Sequence, residues 1–110
     1  MPFINISTSV RVGNKKKLLD ETSILIASLT NKSKKFVMTK IEDEANLFFD
    51  DDSPCCYFEI KSIGSLHPSE MAKPICSFVN EKLGVPLDKI YIFFQDVRPE
   101  MWGWNGKTFG

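Results

Sequence analysis

The sequence predicts an α+β fold in which two βαβ units form one four-stranded sheet with both helices on one face. The main observation is that the order strand, helix, strand occurs twice, in pseudo-repeats of about residues 1–50 and 54–98. A length of 110 residues, of which 43% are hydrophobic, fits a single domain spanning residues 1–110 with a thin core. Residues 99–110 follow as a C-terminal hairpin that adds short extra strands.

The first repeat begins with a strand, because apolar residues alternate with polar ones over residues 3–10. A helix follows. Asn14 is a suitable N-cap, and Asn31 can end the helix in a left-handed conformation. Its apolar stripe has the spacing of one helix face and consists of Leu18, Thr22, Leu25, Ile26 and Leu29.

A second strand is predicted over residues 36–41, where Phe36-Val37-Met38 is continuously apolar. Residues 42–54 hold six acidic side chains around Leu47-Phe48-Phe49. This composition predicts a loop, and the short apolar piece leaves an edge strand as an alternative.

The second repeat starts with an alternating strand over residues 55–63. The helix after it should end at Gly84, with Pro86 two residues beyond. Pro74 within it predicts either a kink or a late helix start, since proline lacks a backbone donor. The run 90–94 is a strongly apolar fourth strand. The apolar stripe of the second helix consists of Met71, Ile75, Phe78, Val79 and Leu83.

Asn105-Gly106 lies between aromatic-rich flanks in the tail, which is a strong signal for a tight hairpin.

The predicted sheet has one face that the helices leave uncovered. Two helices cover only one face of four strands, yet Ile90 to Phe94 is apolar on both sides. The sequence therefore predicts an oligomer whose sheets pack together.

The composition excludes several classes of protein. The 14 basic and 14 acidic residues cancel, so the global field that non-specific nucleic-acid or anionic-membrane binding needs is absent. No apolar run approaches the roughly 18 residues of a membrane span, and the N-terminus lacks a signal-peptide pattern. We therefore expect a cytoplasmic protein without nucleic-acid or membrane partners.

Metal and disulfide sites are also not expected. Cys55, Cys56 and Cys76 are odd in number and two of them are adjacent, which is a poor disulfide framework. The single histidine, His67, cannot form a zinc site alone. The run Asp50–Asp52 lacks the ligand spacing and glycine of a calcium loop, so a solvated turn is expected.

Pro2 is the first residue that could carry chemistry. Removal of Met1 would leave a secondary amine, and α-amino groups have a reference pKa of roughly 7.7 to 8.0. Burial or a nearby cation would lower that pKa further and give a general base at neutral pH. A proline at position 2 is also common in proteins where it has no chemical role, and the residue alone does not choose between these interpretations.

Several segments together resemble the macrophage migration inhibitory factor family of the tautomerase superfamily, and the resemblance covers essentially the whole chain. They occur in the same order as in that family: Met1-Pro2-Phe3-Ile4, Thr30-Asn31-Lys32, Pro54-Cys55, Lys61-Ser62-Ile63-Gly64, Ile90-Tyr91-Ile92 and Gly103-Trp104-Asn105-Gly106-Lys107-Thr108-Phe109.

The resemblance implies a homotrimer whose sheets form a central barrel. It also implies a cofactor-independent keto-enol tautomerase, an isomerase that acts on arylpyruvates such as phenylpyruvate. Pro2 matches the catalytic proline, Lys32 the lysine that binds the substrate carboxylate, and the Ile63 amide would hold the same group. Tyr91 would reach in from a neighbouring subunit, and the tail residues Trp102, Trp104 and Phe109 would line the pocket for the substrate ring.

Two departures from the family pattern change what it implies. Phe93 stands where well-known animal members have an asparagine that can bond a substrate hydroxyl, so a plain phenyl ring is the expected substrate group. Phe58 replaces the second cysteine of the animal members' redox pair, so thiol-disulfide activity is not expected.

Two other functions remain open from the sequence. The chain could be a cytokine-like factor that binds a receptor protein, with leaderless secretion and a vestigial or secondary tautomerase activity. Its pocket could also act on other small α-keto or unsaturated acids, since the sequence does not choose among them.

Overall fold

A four-stranded mixed sheet is the framework of the protein in the computed structural model, which describes all 110 residues. Strand β1 is followed by helix α1 and strand β2, and strand β3 by helix α2 and strand β4. The bounds are β1 Phe3–Thr8, α1 Lys15–Thr30, β2 Met38–Glu42, β3 Cys56–Ser62, α2 Pro68–Leu83 and β4 Ile90–Asp96.

The strand order is β2-β1-β3-β4. Each helix connects two neighbouring parallel strands, because β1 pairs with β2 and β3 pairs with β4 in parallel. The two units meet where β1 and β3 pair in the antiparallel direction. The predicted α+β fold with two βαβ units is confirmed.

Both helices pack on one face of the sheet. Alternate residues of β1 and β3 are buried there, including Ile4 and Phe58, which have no exposed surface. Ile26 of α1 and Ile75 of α2 join them in one apolar cluster. The period-two and helical patterns of the sequence thus meet in a single core between helices and sheet.

The predicted ends of both helices agree with the structure. The Asn14 side chain accepts a hydrogen bond from the Lys17 amide, and Asn31 ends α1 with φ of 55°. Gly84 ends α2 with φ of 68°. The late start predicted for α2 is wrong: the helix begins at Pro68, where a missing donor costs nothing, and it continues through Pro74.

Glu42 ends β2, and residues 43–54 form a loop whose only β-type pairing is an isolated bridge between Phe49 and Asp51, so the edge-strand alternative is wrong. Lys89 anchors this loop. Its Nζ donates to the Phe49 carbonyl at 3.0 Å and lies 3.2 Å from an Asp51 carboxylate oxygen.

The sheet face opposite the helices is less apolar than predicted. On β4 it exposes Tyr91 and Phe93, as expected. On β1 and β3 the same face carries the polar residues Asn5, Glu59 and Lys61 beside the aromatic residues Phe3 and Tyr57. The second face is therefore apolar at Tyr91 and Phe93 of β4 and mixed on the central strands.

The tail forms the predicted hairpin. Strand β5, Gly103–Trp104, pairs with strand β6, Lys107–Thr108, and the turn between them has positive φ at both Asn105 and Gly106. Positive φ at two adjacent turn residues is the geometry that Asn-Gly favours. Neither α1 nor α2 has the length and apolar content of a membrane-spanning helix.

Candidate active site

Pro2 is buried at the start of β1, with less than 2% of its surface exposed. Its carbonyl accepts a hydrogen bond of 3.1 Å from the Met38 amide, which fixes the N-terminal segment against the start of β2. The residue next to the chain terminus is therefore held in one position instead of fraying.

A cleft of about 860 Å³ lies beside Pro2. Its walls come from four parts of the chain: the N-terminus, the turn before β2, the ends of β3 and β4, and the tail. The lining residues central to the site are Pro2, Lys35, Phe36, Lys61, Trp102 and Trp104.

A second cavity of about 420 Å³ adjoins the first. It is lined by four of the residues predicted for the site, Lys32, Ile63, Trp104 and Phe109. Met1, Phe36 and Trp104 line both cavities. Pro2, Lys32, Ile63, Trp102, Trp104 and Phe109 thus surround one region centred on Met1.

Lys32 comes directly after the left-handed residue Asn31, which turns the chain from the end of α1 toward the N-terminus. Its Nζ donates to the Ile63 carbonyl at 3.5 Å and has no carboxylate within ion-pair distance. A half-buried ammonium with one weak neutral acceptor retains most of its capacity to bind an anion.

The electrostatic environment favours a neutral amine at the chain terminus. Burial lowers the pKa of the Met1 amine below its usual value of 8.0, and the positive charge of Lys32 lowers it further. Both effects disfavour the charged form, since it loses hydration and is repelled by the lysine.

Three aromatic rings form one wall. Phe36 and Trp104 meet edge to face with their centroids 5.8 Å apart, and Trp104 stacks on Phe109 at 6.1 Å. The Asn105-Gly106 turn folds the tail back so that Trp104 and Phe109 lie side by side. This wall is suited to contact a flat apolar group.

Tyr91 and Phe93 do not line the cavities of their own subunit. Gln95 of β4 is level with Phe3 of β1 across the sheet. Tyr91 lies four residues before Gln95, so Tyr91 is about 13 Å along the strand from the level of Phe3. Tyr91 is 64% exposed and Phe93 46% exposed. A single subunit therefore leaves both side chains outside its own cleft.

The family described as macrophage migration inhibitory factor (MIF) matches residues 1–110 of this sequence. The chain belongs to the MIF family. Membership places it in the tautomerase superfamily and confirms the resemblance found in the sequence.

Individual relatives agree with this assignment. The chain is 30% identical to macrophage migration inhibitory factor from Xenopus tropicalis, with 99% of each protein covered. Its fold matches the crystal structure of a MIF homologue from Prochlorococcus marinus with a TM-score of 0.92 and 42% identity, covering 98% of this chain and 99% of the other. MIF from Trichinella spiralis matches with a TM-score of 0.90 and 27% identity, covering 97% and 99%.

Membership of the MIF family supports a tautomerase or cytokine-like function as a broad class. It also supports an oligomeric assembly, which is the expectation that the uncovered β4 face had raised.

Phe36 and Lys35 are the main residues of the cleft that the sequence did not reveal. Phe36 looked like the first residue of a strand, but it ends a 3-10 turn, Lys34–Phe36, that comes before β2. This turn directs its ring toward Trp104. The adjacent lysines at 34 and 35 were the only available signal, and two neighbouring charges are usually no more than a solvated turn.

The three cysteines are free thiols. Burial raises the pKa of the Cys56 thiol to about 12, and the neighbouring Cys55 and Cys76 raise it as well. At neutral pH this thiol is fully protonated and a poor nucleophile. None of the cysteines lines the cavities at Pro2.

Proposed function

We propose that the chain is a cofactor-independent keto-enol tautomerase of arylpyruvates such as phenylpyruvate, with Pro2 as general acid and base after removal of Met1. The observation that carries this proposal is the cluster around the N-terminus. A buried proline, a lysine without an acidic partner and a wall of three aromatic rings line two adjoining cavities at the chain terminus.

Removal of Met1 is required for this chemistry. While Met1 is attached, the Pro2 nitrogen is an amide and has no basic lone pair. Once free, it is a secondary amine in the environment that lowers the pKa of the Met1 amine, namely burial and the charge of Lys32. Since Met1 lines both cavities, its removal would also open space for a substrate beside the new amine.

The reaction requires one proton to move. The neutral Pro2 nitrogen takes a proton from the carbon next to the keto group, and the electron pair shifts toward the keto oxygen. The protonated amine then returns a proton to that oxygen and gives the enol. The same steps in reverse give the keto form, so no oxidant, metal or cofactor takes part.

Lys32 is proposed to bind the substrate carboxylate, with help from the Ile63 amide. Charge-assisted hydrogen bonds are about twice as strong as neutral ones, so the ammonium would leave its 3.5 Å contact with the Ile63 carbonyl for a carboxylate. Trp102, Trp104 and Phe109 would then contact the aromatic ring of the substrate.

Tyr91 and Phe93 are proposed to complete the pocket of a neighbouring subunit in a homotrimer whose sheets form a central barrel. Their exposure on the face opposite the helices supports this proposal, as does their distance from the Pro2 of the same chain. An apolar Phe93 at the substrate ring offers no hydrogen-bond partner for a 4-hydroxyl group, so a 4-hydroxylated ring would gain nothing from this residue over a phenyl ring.

The direct test combines three measurements on one sample. We expect the mass of the purified protein to show loss of Met1, and the protein to accelerate phenylpyruvate tautomerisation. Light scattering should give three times the 12.5 kDa subunit mass. A methionine-free protein with no effect on the tautomerisation rate would rule out the proposed activity. A light-scattering mass of one subunit would mean that Tyr91 and Phe93 do not contribute to the site.

The pH profile tests the role of Lys32. The general base works as the neutral amine, so kcat/KM rises as the pH increases through the pKa of Pro2. Lys32 lowers the terminal amine's pKa, so Lys32→Met should move this rising limb to higher pH. Lys34→Met is the matched control, because Lys34 pairs with Asp20 at 2.6 Å and lines neither cavity. A limb that stays in place in Lys32→Met would contradict the assigned electrostatic role.

A cytokine-like role is the alternative, and it rests on the function class of the family. Saturable binding to an extracellular receptor domain by a Pro2 variant without tautomerase activity would support it. No saturable binding would count against it.

A further inference from the structure

Two lysines without acidic partners each line a cavity that Phe36 also lines. Lys35 extends over the Phe36 ring with its Nζ 5.1 Å from the ring centroid. Lys32 contacts only the Ile63 carbonyl. Neither forms a salt bridge with a carboxylate.

Other lysines nearby differ in this respect. Lys61 also lines the larger cavity, but its Nζ lies 3.6 Å from a carboxylate oxygen of Glu59. Lys34, adjacent in sequence to Lys35, pairs with Asp20. The positive charges of Lys32 and Lys35 are therefore the uncompensated ones at the site.

No aspartate or glutamate lines either cavity. A concave surface with cations and no acids concentrates anions, because low-dielectric walls focus the field. A substrate with one carboxylate would use Lys32 and leave the charge of Lys35 unmatched.

The two lysines belong to different cavities that share a wall. Lys32 lies in the smaller cavity and Lys35 in the larger one, whereas Phe36 and Trp104 line both. A flat substrate packed against these shared rings would have Lys32 on the side of the smaller cavity and Lys35 on the side of the larger one. This arrangement matches a ligand with two anionic groups separated by an apolar body.

We propose that the preferred substrates are 2-oxo acids with a second carboxylate, such as carboxyphenylpyruvates, and that Lys35 is the residue that selects them. The inference rests on the proposed tautomerase activity. Lys32 binds the carboxylate next to the keto group, and Lys35 binds the distal one at the open rim of the cleft.

The test compares phenylpyruvate with its 3-carboxy and 4-carboxy derivatives on the methionine-free protein. Ion pairs at exposed positions are modest, so we expect about a threefold higher kcat/KM for at least one carboxylated substrate, mainly through a lower KM. Lys35→Gln should abolish this preference, and Lys34→Gln should retain it. Higher ionic strength should weaken the preference, since salt screens exposed charges.

The outcomes separate this inference from the proposed function. Equal kcat/KM for all three substrates, or a preference that survives in Lys35→Gln, would overturn the role of Lys35 and leave phenylpyruvate tautomerisation intact. Turnover of a carboxylated substrate without turnover of phenylpyruvate would support the proposed selection of a second carboxylate. It would contradict phenylpyruvate as a substrate.

Discussion

Pro2→Gly should lower kcat/KM for phenylpyruvate by at least about 100-fold, which is the lower range of what a positioned general acid-base group contributes. Glycine still permits removal of Met1 and still presents an amine. It lacks the ring that fixes the nitrogen, and the buried position next to Met38 loses its packing. The measurement is the initial rate of phenylpyruvate tautomerisation by samples whose masses confirm the new N-terminus.

Pro86→Gly is the control for this substitution. Pro86 is exposed after α2 and lines neither cavity, so the same change should leave the rate unaltered. Thermal unfolding of both variants would show that Pro2→Gly is folded. A folded Pro2→Gly protein with the wild-type rate would refute the catalytic role of Pro2.

Ile75→Ala should reduce the free energy of unfolding by about 2–5 kcal/mol. Ile75 lies in α2, has no exposed surface and belongs to the cluster with Ile4, Ile26 and Phe58. Its truncation removes apolar surface from the core and leaves a cavity that rigid neighbours on the sheet cannot fill. Chemical denaturation at one fixed protein concentration measures the loss, because oligomers gain stability with concentration.

Ile24→Ala is the matched substitution on the other helix. Ile24 is 53% exposed on α1, so the same change of residue in the same secondary structure should alter the free energy of unfolding by about 0.5 kcal/mol or less. Similar losses for both variants would mean that the core is not where the structure places it.

Most of the fold was predictable because its signals are local. Ile4 and Ile6 alternate in β1, Asn14 caps α1, and Asn105-Gly106 turns the tail, and each requires only neighbouring residues. The start of α2 was harder to predict from the sequence. Pro68 and Pro74 both lie in that helix, and the sequence does not say which of them begins it.

The site was predictable only through the resemblance to a family. Pro2, Lys32 and Trp104 lie far apart in sequence, and no periodic pattern relates them. Phe36 and Lys35 were missed because a single 3-10 turn decides where they point. The open face of β1 and β3 was not predictable from the apolar run of β4, because it mixes apolar residues such as Phe3 with polar ones such as Glu59.

The two ends of the chain meet at the same place, since Met1 and Pro2 share cavity walls with Trp104 and Phe109. Affinity tags or fusion partners attached to either end would therefore enter the proposed pocket or displace its aromatic wall. An exposed position on the outer surface of α1, such as Ser28, is a better attachment point for a dye or a surface linker. An introduced thiol there would react well before buried Cys56, whose raised pKa keeps it protonated.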